Sequence, residues 1–175
     1  PDTVLVDLAT TRGPITVVLR RAWAPHGVDR VYNLARAGYY DDTRFYRVVD
    51  GYIAQFGLAA DPAVARLWSR QTLPPDRRRV SNARGTVTFA QATPRDRTTR
   101  LFINLRDNPH LDRLGFVPIG RVVRGMGAAG RLYAGYGERP MAQANTARVY
   151  AESNAFLDAK YPKLDRLRTV TVRPE

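Results

Sequence analysis

Residues 44–57 of the chain read RFYRVVDGYIAQFG, two short runs of β-branched and aromatic residues on either side of an Asp-Gly pair. This composition predicts two β-strands joined by a tight turn. Because side chains alternate between the faces of a strand, we expect Phe45 and Arg47 to point the same way, and likewise Ile53 and Gln55. The hairpin therefore predicts one surface with a guanidinium, an amide and apolar groups, a mixture that suits a peptide ligand.

The remaining pattern is one of short strands separated by turn signals. Strands are predicted over residues 4–8, 14–19, 85–92, 101–105, 117–123 and 167–172. Helices are predicted from Pro25 to Gly38, over 62–68 and 126–133, and over 151–161 with Ser153 or Asn154 as cap. The Gly- and Ala-rich stretch 133–148 is interpreted as a loop. About eight strands without β-α-β alternation favour a closed barrel or a sandwich, and residues 1–175 fit one domain.

The composition excludes several classes of site. The chain has no cysteine and only two histidines, His26 and His110, which are too few for a histidine-based metal centre. It contains no phosphate-binding glycine loop and no nucleophile elbow. The neighbouring Asp41 and Asp42 are typical of a turn. We therefore expect that no metal and no cofactor is needed.

The charge is strongly positive, with a formal net value of +12, and all but two of the 28 Lys and Arg residues are arginine. A nucleic-acid site usually gathers its charge on one face or helix. Here the arginines are spread from Arg12 to Arg173, and the densest run, 77–79, follows two prolines as an exposed loop would. Nucleic-acid binding is therefore the less favoured alternative.

The cellular compartment is left open by the sequence. No run of about 18 apolar residues is present, so no membrane association is expected. The chain opens at Pro1 and not at Met, which we interpret as processing or trimming. A periplasmic or secreted bacterial protein is slightly favoured over a cytoplasmic one, and a monomer is expected.

Several segments, in order, resemble the cyclophilin-type peptidyl-prolyl cis/trans isomerase family. Residues 45–57 resemble its signature, in which Phe-His-Arg is followed by a glycine, two bulky apolar residues and Gln-Gly-Gly. Further matching segments are TTRG at 10–13, the helix from 24 to 34 with GYY at 38–40, RGTVTFA at 84–90, LFI at 101–103, HLD at 110–112 and GRVVRGM at 120–126. The resemblance covers about residues 4–135.

This resemblance implies a mainly β fold. The expected architecture is a closed eight-stranded antiparallel β-barrel capped by two helices, with the N-terminal and C-terminal strands adjacent. The tail from about 140 to 165 is unlike short family members, and it is expected to form a C-terminal helical insertion before the last strand.

The resemblance also implies the activity, rotation about X-Pro peptide bonds in Pro-containing polypeptide substrates, which assists protein folding. Arg47 falls on the family's catalytic arginine. Amide resonance sets a barrier of about 18–20 kcal/mol to this rotation. In the twisted state the prolyl nitrogen regains its lone pair, so a guanidinium that donates to it stabilises that state selectively. Arginine stays charged at physiological pH, and no acid–base step is required.

Substrate-binding residues carry over in the same way. Gln55 matches a glutamine that binds the substrate backbone, and Ala90 and Gln91 match an Ala-Asn pair with the same role. The apolar floor for the proline ring is expected from Ile53, Phe102 and Leu111, with Tyr52 in place of a phenylalanine.

Some positions depart from the family pattern. Tyr46 replaces the signature histidine, Arg100 replaces a glutamine, and Phe116 stands about where the family has a pocket histidine. His110 replaces the tryptophan that lines the cyclosporin-binding edge, so weakened cyclosporin binding is expected. These departures leave open a second alternative, a cyclophilin-like module that binds Pro-containing segments with little turnover.

Overall fold

The computed structural model describes all 175 residues and contains one antiparallel sheet of nine strands. The strands are β1 (Thr3–Thr10), β2 (Gly13–Arg20), β3 (Thr43–Arg44), β4 (Arg47–Val49), β5 (Ile53–Phe56), β6 (Thr86–Phe89), β7 (Leu101–Asn104), β8 (Pro118–Arg124) and β9 (Arg166–Pro174). Their spatial order is β3-β9-β1-β2-β8-β6-β7-β5-β4. The fold is mainly β, as predicted.

The terminal strands are neighbours, which confirms that part of the prediction. β1 pairs antiparallel with β9, Val6 opposite Val172, and pairs on its other edge with β2 through the tight turn after Thr10. Both chain ends thereby form inner strands of the sheet, next to the edge strand β3.

The sheet curls but its edges do not pair, so the prediction of a closed eight-stranded barrel is wrong in this detail. The edge strands β3 and β4 are consecutive in the chain and are separated only by Phe45 and Tyr46. Both of these side chains are 0% exposed. We call this junction between β3 and β4 the seam. In a closed barrel, backbone hydrogen bonds would join the two edge strands, whereas here the buried rings of Phe45 and Tyr46 lie between them.

The seam also overturns the predicted alternation in the hairpin. Phe45 packs inward, with its ring 5.2 Å from that of Phe56, whereas Arg47 borders the cavity described below. Two consecutive buried residues, Phe45 and Tyr46, break the period of two. Phe45 and Arg47 therefore lie on opposite sides, while Ile53 and Gln55 share a face as expected.

Six α-helices and one short 3-10 helix accompany the sheet, compared with four helical segments predicted from the sequence pattern. They are α1 (Pro25–Arg36), α2 (Pro62–Trp68), α3 (Pro109–Arg113), α4 (Met126–Gly130), the 3-10 helix (Arg139–Met141), α5 (Gln143–Glu152) and α6 (Asn154–Lys160). The helical insertion before the last strand consists of α5 and α6, and it differs slightly from the prediction because α5 begins within the stretch 133–148 that was interpreted as a loop. No helix is long and apolar enough to cross a membrane.

Apolar side chains form two separate buried clusters. The larger has 38 buried residues and lies inside the curl, covered by the apolar face of α1 with Val28, Val31 and Leu34. Each fully buried side chain of this kind contributes about 1.5–3 kcal/mol. The smaller cluster has four members, Ile53, Ala90, Phe102 and Leu111. This second cluster is the floor of a surface cavity.

Candidate active site

A cavity of about 610 Å³ opens over the smaller apolar cluster. It is lined by all the side chains predicted for the site except His110, namely Arg47, Tyr52, Ile53, Gln55, Ala90, Gln91, Arg100, Phe102, Leu111 and Phe116. These residues come from the three strands β4, β5 and β7, from loops next to β5, β6, β7 and β8, and from α3. Residues spread over 70 positions of sequence thus meet at one surface.

Three of them lie in a row across neighbouring strands. Arg47 on β4 is directly opposite Gln55 on β5, and Gln55 is directly opposite Phe102 on β7. Arg47 Nη1 donates a hydrogen bond of 3.1 Å to Gln55 Oε1. The row places a cation and an amide beside an aromatic floor.

The amide nitrogen of Gln55 is bound by Tyr46, which lies below these three residues. Gln55 Nε2 donates to the Tyr46 hydroxyl oxygen at 2.9 Å. Complete burial raises the pKa of Tyr46 above its ordinary value, so the hydroxyl stays neutral. Arg47, Gln55 and Tyr46 therefore form a chain of hydrogen bonds that orients the guanidinium from below.

The floor is apolar and well supported. The rings of Phe102 and Phe116 meet edge-on at a centroid distance of 5.8 Å. Leu111 is brought in by α3, whose Asp112 accepts hydrogen bonds from the Ser81 hydroxyl and from the backbone and side chain of Asn82. Such a surface binds a saturated ring by removing it from water.

His110 does not line the cavity but stands beside its rim. Its ring stacks on Tyr52 at 5.8 Å, and a hydrogen bond of 3.1 Å joins the Tyr52 hydroxyl and His110 Nε2. Arg106 covers Tyr52, with its guanidinium carbon 5.0 Å from the ring centroid. His110 thus lies outside the cavity lining, and a contact between it and substrate stays a prediction.

The other end of the cavity is polar. Gln91 Nε2 donates to the carbonyl of Gly115 at 3.2 Å, and the half-buried Arg100 lies nearby on the same lining. Arg100 can pack close to β5 because Gly57 has no side chain. A Cβ at Gly57, where φ is +102°, would lie 3.0 Å from Arg100 Cα and 2.6 Å from the Thr99 carbonyl oxygen.

Sequence reasoning missed one wall of the cavity. Met141, Thr146 and Tyr150 line it from the 3-10 helix and α5, and Glu138 forms an ion pair with Arg47 Nη2. The stretch around them has few periodic apolar residues, and nothing in the local pattern links Glu138 to Arg47. Ala92 and Leu114, which extend the loops at the rim, also went unpredicted.

No group of three or more His, Asp or Glu residues lies close enough together to hold a metal ion. The cavity instead offers two guanidinium groups, amides and an apolar floor. These groups can bind a peptide backbone and a bulky apolar side chain at once.

Comparisons with known proteins agree with this arrangement. The family model described as cyclophilin type peptidyl-prolyl cis-trans isomerase/CLD matches residues 5–150. The chain belongs to this cyclophilin family. A curated relative, peptidyl-prolyl cis-trans isomerase A of Dickeya dadantii, is 31% identical over 73% of this chain and 70% of its own length. Peptidyl-prolyl cis-trans isomerase CYP18-1 of Arabidopsis thaliana is 28% identical over 85% of this chain and 96% of its own.

Solved structures show the same cyclophilin fold. The cyclophilin type peptidyl-prolyl cis-trans isomerase of Cryptosporidium parvum covers 99% of both chains with a TM-score of 0.71 and 15% identity. At that identity the likeness concerns the fold alone. The family match and the curated relatives add the activity: this cyclophilin is a peptidyl-prolyl cis/trans isomerase.

Proposed function

We propose that the cavity over Ile53, Phe102 and Leu111 is where this cyclophilin isomerises X-Pro bonds, with Arg47 as its catalytic residue. The observation that carries the proposal is the row of Arg47, Gln55 and Phe102 across three strands. It sets a fixed guanidinium beside the surface on which a proline ring would rest.

The chemistry follows from the row. With the ring held on Phe102, the amide nitrogen of the substrate is within reach of the guanidinium of Arg47. A planar amide nitrogen is a poor acceptor, whereas the twisted amide has its lone pair localised on nitrogen. A hydrogen bond from Arg47 is therefore stronger in the twisted state, and a stronger interaction there lowers the barrier. The hydrogen bonds from Arg47 to Gln55 and from Gln55 to Tyr46 hold the guanidinium of Arg47 in place before the substrate binds.

The polar part of the lining is proposed to bind the substrate main chain. Gln55 and Gln91 carry amides, and Ala90 leaves room for a peptide to approach the end of β6. A cavity of about 610 Å³ falls within the usual range for small-ligand sites. The Cryptosporidium parvum cyclophilin was also crystallised in the presence of the dipeptide Ala-Pro, which supports Pro-containing peptides as substrates here.

One experiment tests the proposal. Exchange between the cis and trans forms of a Pro peptide is measured by NMR with the wild-type protein, with Arg47→Ala, and without protein. We expect exchange to be accelerated by the wild type and much less by Arg47→Ala. Equal acceleration by both proteins would remove Arg47 from the mechanism.

A further inference from the structure

Two buried side-chain atoms lack a hydrogen-bond partner in the whole protein, and both belong to residues that line the cavity. They are Arg100 Nε, a donor, and Gln91 Oε1, an acceptor. Buried polar atoms are nearly always paired in native proteins, because an unpaired one carries the full cost of its desolvation. Both side chains line the cavity, so a ligand bound there can supply the missing partners once the side chains turn toward it.

Arg100 also has no ion pair, whereas the two fully buried arginines do. Arg44 pairs with Asp158, and Arg97 pairs with Asp76. No carboxylate lies within 4.0 Å of Arg100. Asp96 acts on it from farther away, and the Asp96 oxygens already accept hydrogen bonds from the backbone N–H groups of Ala92 and Thr93. The charge of Arg100 is thus left without a partner inside the protein.

The surroundings strengthen the attraction of this charge for an anion. The pKa of Arg100 is raised overall: burial alone would lower it, but Tyr46, which also contributes a hydrogen bond, together with Tyr150 and Asp96 outweighs that effect, so the group remains a cation. The wall of α5 with Thr146 and Tyr150 faces the same cavity and encloses it on one side. Ion pairs are stronger in such a partly enclosed space than at an open surface.

Arg100 lies immediately before β7, and this position sets its distance from a proline bound on Phe102. Arg100 precedes Phe102 by two residues, and its backbone carbonyl continues the ladder by accepting from the N–H of Ala90 at 2.9 Å. Two residues of an extended strand span about 6.6 Å. If the proline ring rests on Phe102, the guanidinium lies one or two residues away along an extended substrate.

We propose that Arg100 and Gln91 form a specificity subsite that selects a carboxylate side chain one or two residues from the substrate proline. The carboxylate accepts from Arg100, and Gln91 Oε1 accepts a backbone N–H of the same peptide. This inference rests on the proposed function, since it takes the cavity to be the isomerase site.

The test uses a set of otherwise identical peptides with a single Pro. One residue is varied among Glu, Gln and Lys at each of the two positions before and the two positions after the proline, and kcat/KM is measured for each peptide. At one of these positions we expect Glu to exceed Gln by about tenfold or more, as one charge-assisted hydrogen bond provides, and Lys to fall below Gln.

Variants connect the preference to Arg100. Arg100→Gln should bring the ratio of Glu to Gln peptides close to one, and Arg100→Lys should retain part of it, since lysine keeps the charge without the planar fork. Arg168→Gln is the matched control. Arg168 is exposed on β9 and has no ion pair, so its loss removes the same charge without touching the cavity. The ratio should be unchanged there, and thermal unfolding of each variant confirms that it is folded.

Two outcomes would overturn the proposal: a wild-type ratio within twofold of one at all four positions, or a preference that survives Arg100→Gln. Failure of the proposed function appears differently, as activity on every peptide that does not depend on Arg47. The two failures are therefore distinguishable in the same assay.

Discussion

Arg47 and Gln55 face each other across the β4–β5 ladder, and the guanidinium is held from two sides. Nη1 donates to Gln55 Oε1 at 3.1 Å, and Nη2 pairs with the carboxylate of Glu138. The Gln55 contact comes from the sheet itself, while the Glu138 contact comes from the segment that precedes α5. The Gln55 contact therefore orients the guanidinium before any substrate binds, while the exposed carboxylate of Glu138 occupies a nitrogen that a substrate could use.

The first prediction concerns Arg47→Ala. One charge-assisted hydrogen bond is worth roughly 1.5–3 kcal/mol, and each 1.4 kcal/mol corresponds to a tenfold change in rate. We expect kcat/KM to fall by roughly 10- to 150-fold while Tm hardly changes, since the side chain is 27% exposed and water in the cavity can replace it at Gln55 Oε1. Arg47→Lys should also be poor, because a point charge lacks the planar fork.

A second guanidinium in the cavity complicates this test. Arg100 lines the same space, so it could partly substitute for Arg47. The double variant Arg47→Ala with Arg100→Gln should lose more activity than Arg47→Ala alone. Full isomerase activity in the double variant is incompatible with the mechanism.

The second prediction concerns Glu138, whose carboxylate competes with the substrate for Arg47. Glu138 is 67% exposed, and exposed ion pairs contribute little, at most about 1 kcal/mol. Glu138→Gln should therefore raise kcat/KM by up to about fivefold. Glu152→Gln, which breaks an exposed pair with Arg148 on α5, is the control and should have no effect. A fall in kcat/KM for Glu138→Gln would instead mean that the carboxylate positions Arg47.

Much of this site is predictable from the sequence, because it depends on local geometry. The Asp-Gly turn and the alternation along β5 place Ile53 and Gln55 on one face, and the structure agrees. The alternation fails at the seam, where Phe45 and Tyr46 are both buried. A period of two cannot anticipate that a strand is interrupted to fill the gap between two sheet edges.

The α5 wall could not be predicted for a different reason. Residues 143–152 read QANTARVYAE, in which only Asn145 and Val149 are buried. A face this narrow gives almost no apolar periodicity. Tyr150 and Glu138 reach the cavity through tertiary packing between segments about 90 positions apart, and no spacing rule detects such contacts.

The third prediction concerns alkaline pH. Burial raises the pKa of both Tyr40 and Tyr46 above the ordinary value. Tyrosines of the unfolded chain ionise near pH 10, while these two stay neutral when folded. Their contribution to stability is thus complete below pH 10 and declines as the pH rises further.

Tyr46→Phe tests this reasoning. At pH 8 the variant should be less stable by about 1–3 kcal/mol, because Gln55 Nε2 loses its buried acceptor. Above pH 10 its free energy of unfolding should fall less steeply than that of the wild type, since one of the buried hydroxyls with a raised pKa is gone. Urea unfolding at both pH values provides the measurement. Parallel pH profiles for variant and wild type would show that Tyr46 ionises equally in both states.

The fourth prediction concerns cyclosporin. At the rim, the ring of His110 stacks on Tyr52. An imidazole lacks the indole N–H and much of the apolar area of a tryptophan. We expect weak binding by the wild type and a gain of roughly tenfold or more in His110→Trp, the scale on which single aromatic anchors act. In His110→Trp the Tyr52 hydroxyl loses its partner His110. The double variant Tyr52→Phe with His110→Trp removes this unpaired hydroxyl and should bind at least as tightly as His110→Trp alone. Inhibition of isomerase activity reports the affinity. Tight binding by the unchanged protein would contradict the argument.

The last prediction concerns the ion pair that fixes the excursion between β5 and β6. Arg97 and Asp76 are each 1% exposed, with Arg97 Nη1 and Asp76 Oδ2 3.2 Å apart. Asp76 also accepts from the backbone N–H groups of His26 and Gly27 at the start of α1, at 3.1 and 2.9 Å. Burial lowers the pKa of Arg97, and Asp76 opposes that shift. One carboxylate thus neutralises a buried cation and satisfies two donors of the helix.

Asp76→Ala leaves the buried charge of Arg97 uncompensated, because arginine does not lose its proton. Breaking a buried pair in this way costs about 3–5 kcal/mol, a large part of the usual 5–15 kcal/mol for a domain. Urea unfolding should show that loss, whereas Asp29→Ala, which breaks an exposed pair with Arg21, should change little. Replacing both partners, Asp76→Leu with Arg97→Met, should be less harmful than Asp76→Ala alone, since no unpaired charge remains. A single variant as stable as the wild type would mean that water reaches Arg97 and that the pair does not hold the excursion in place.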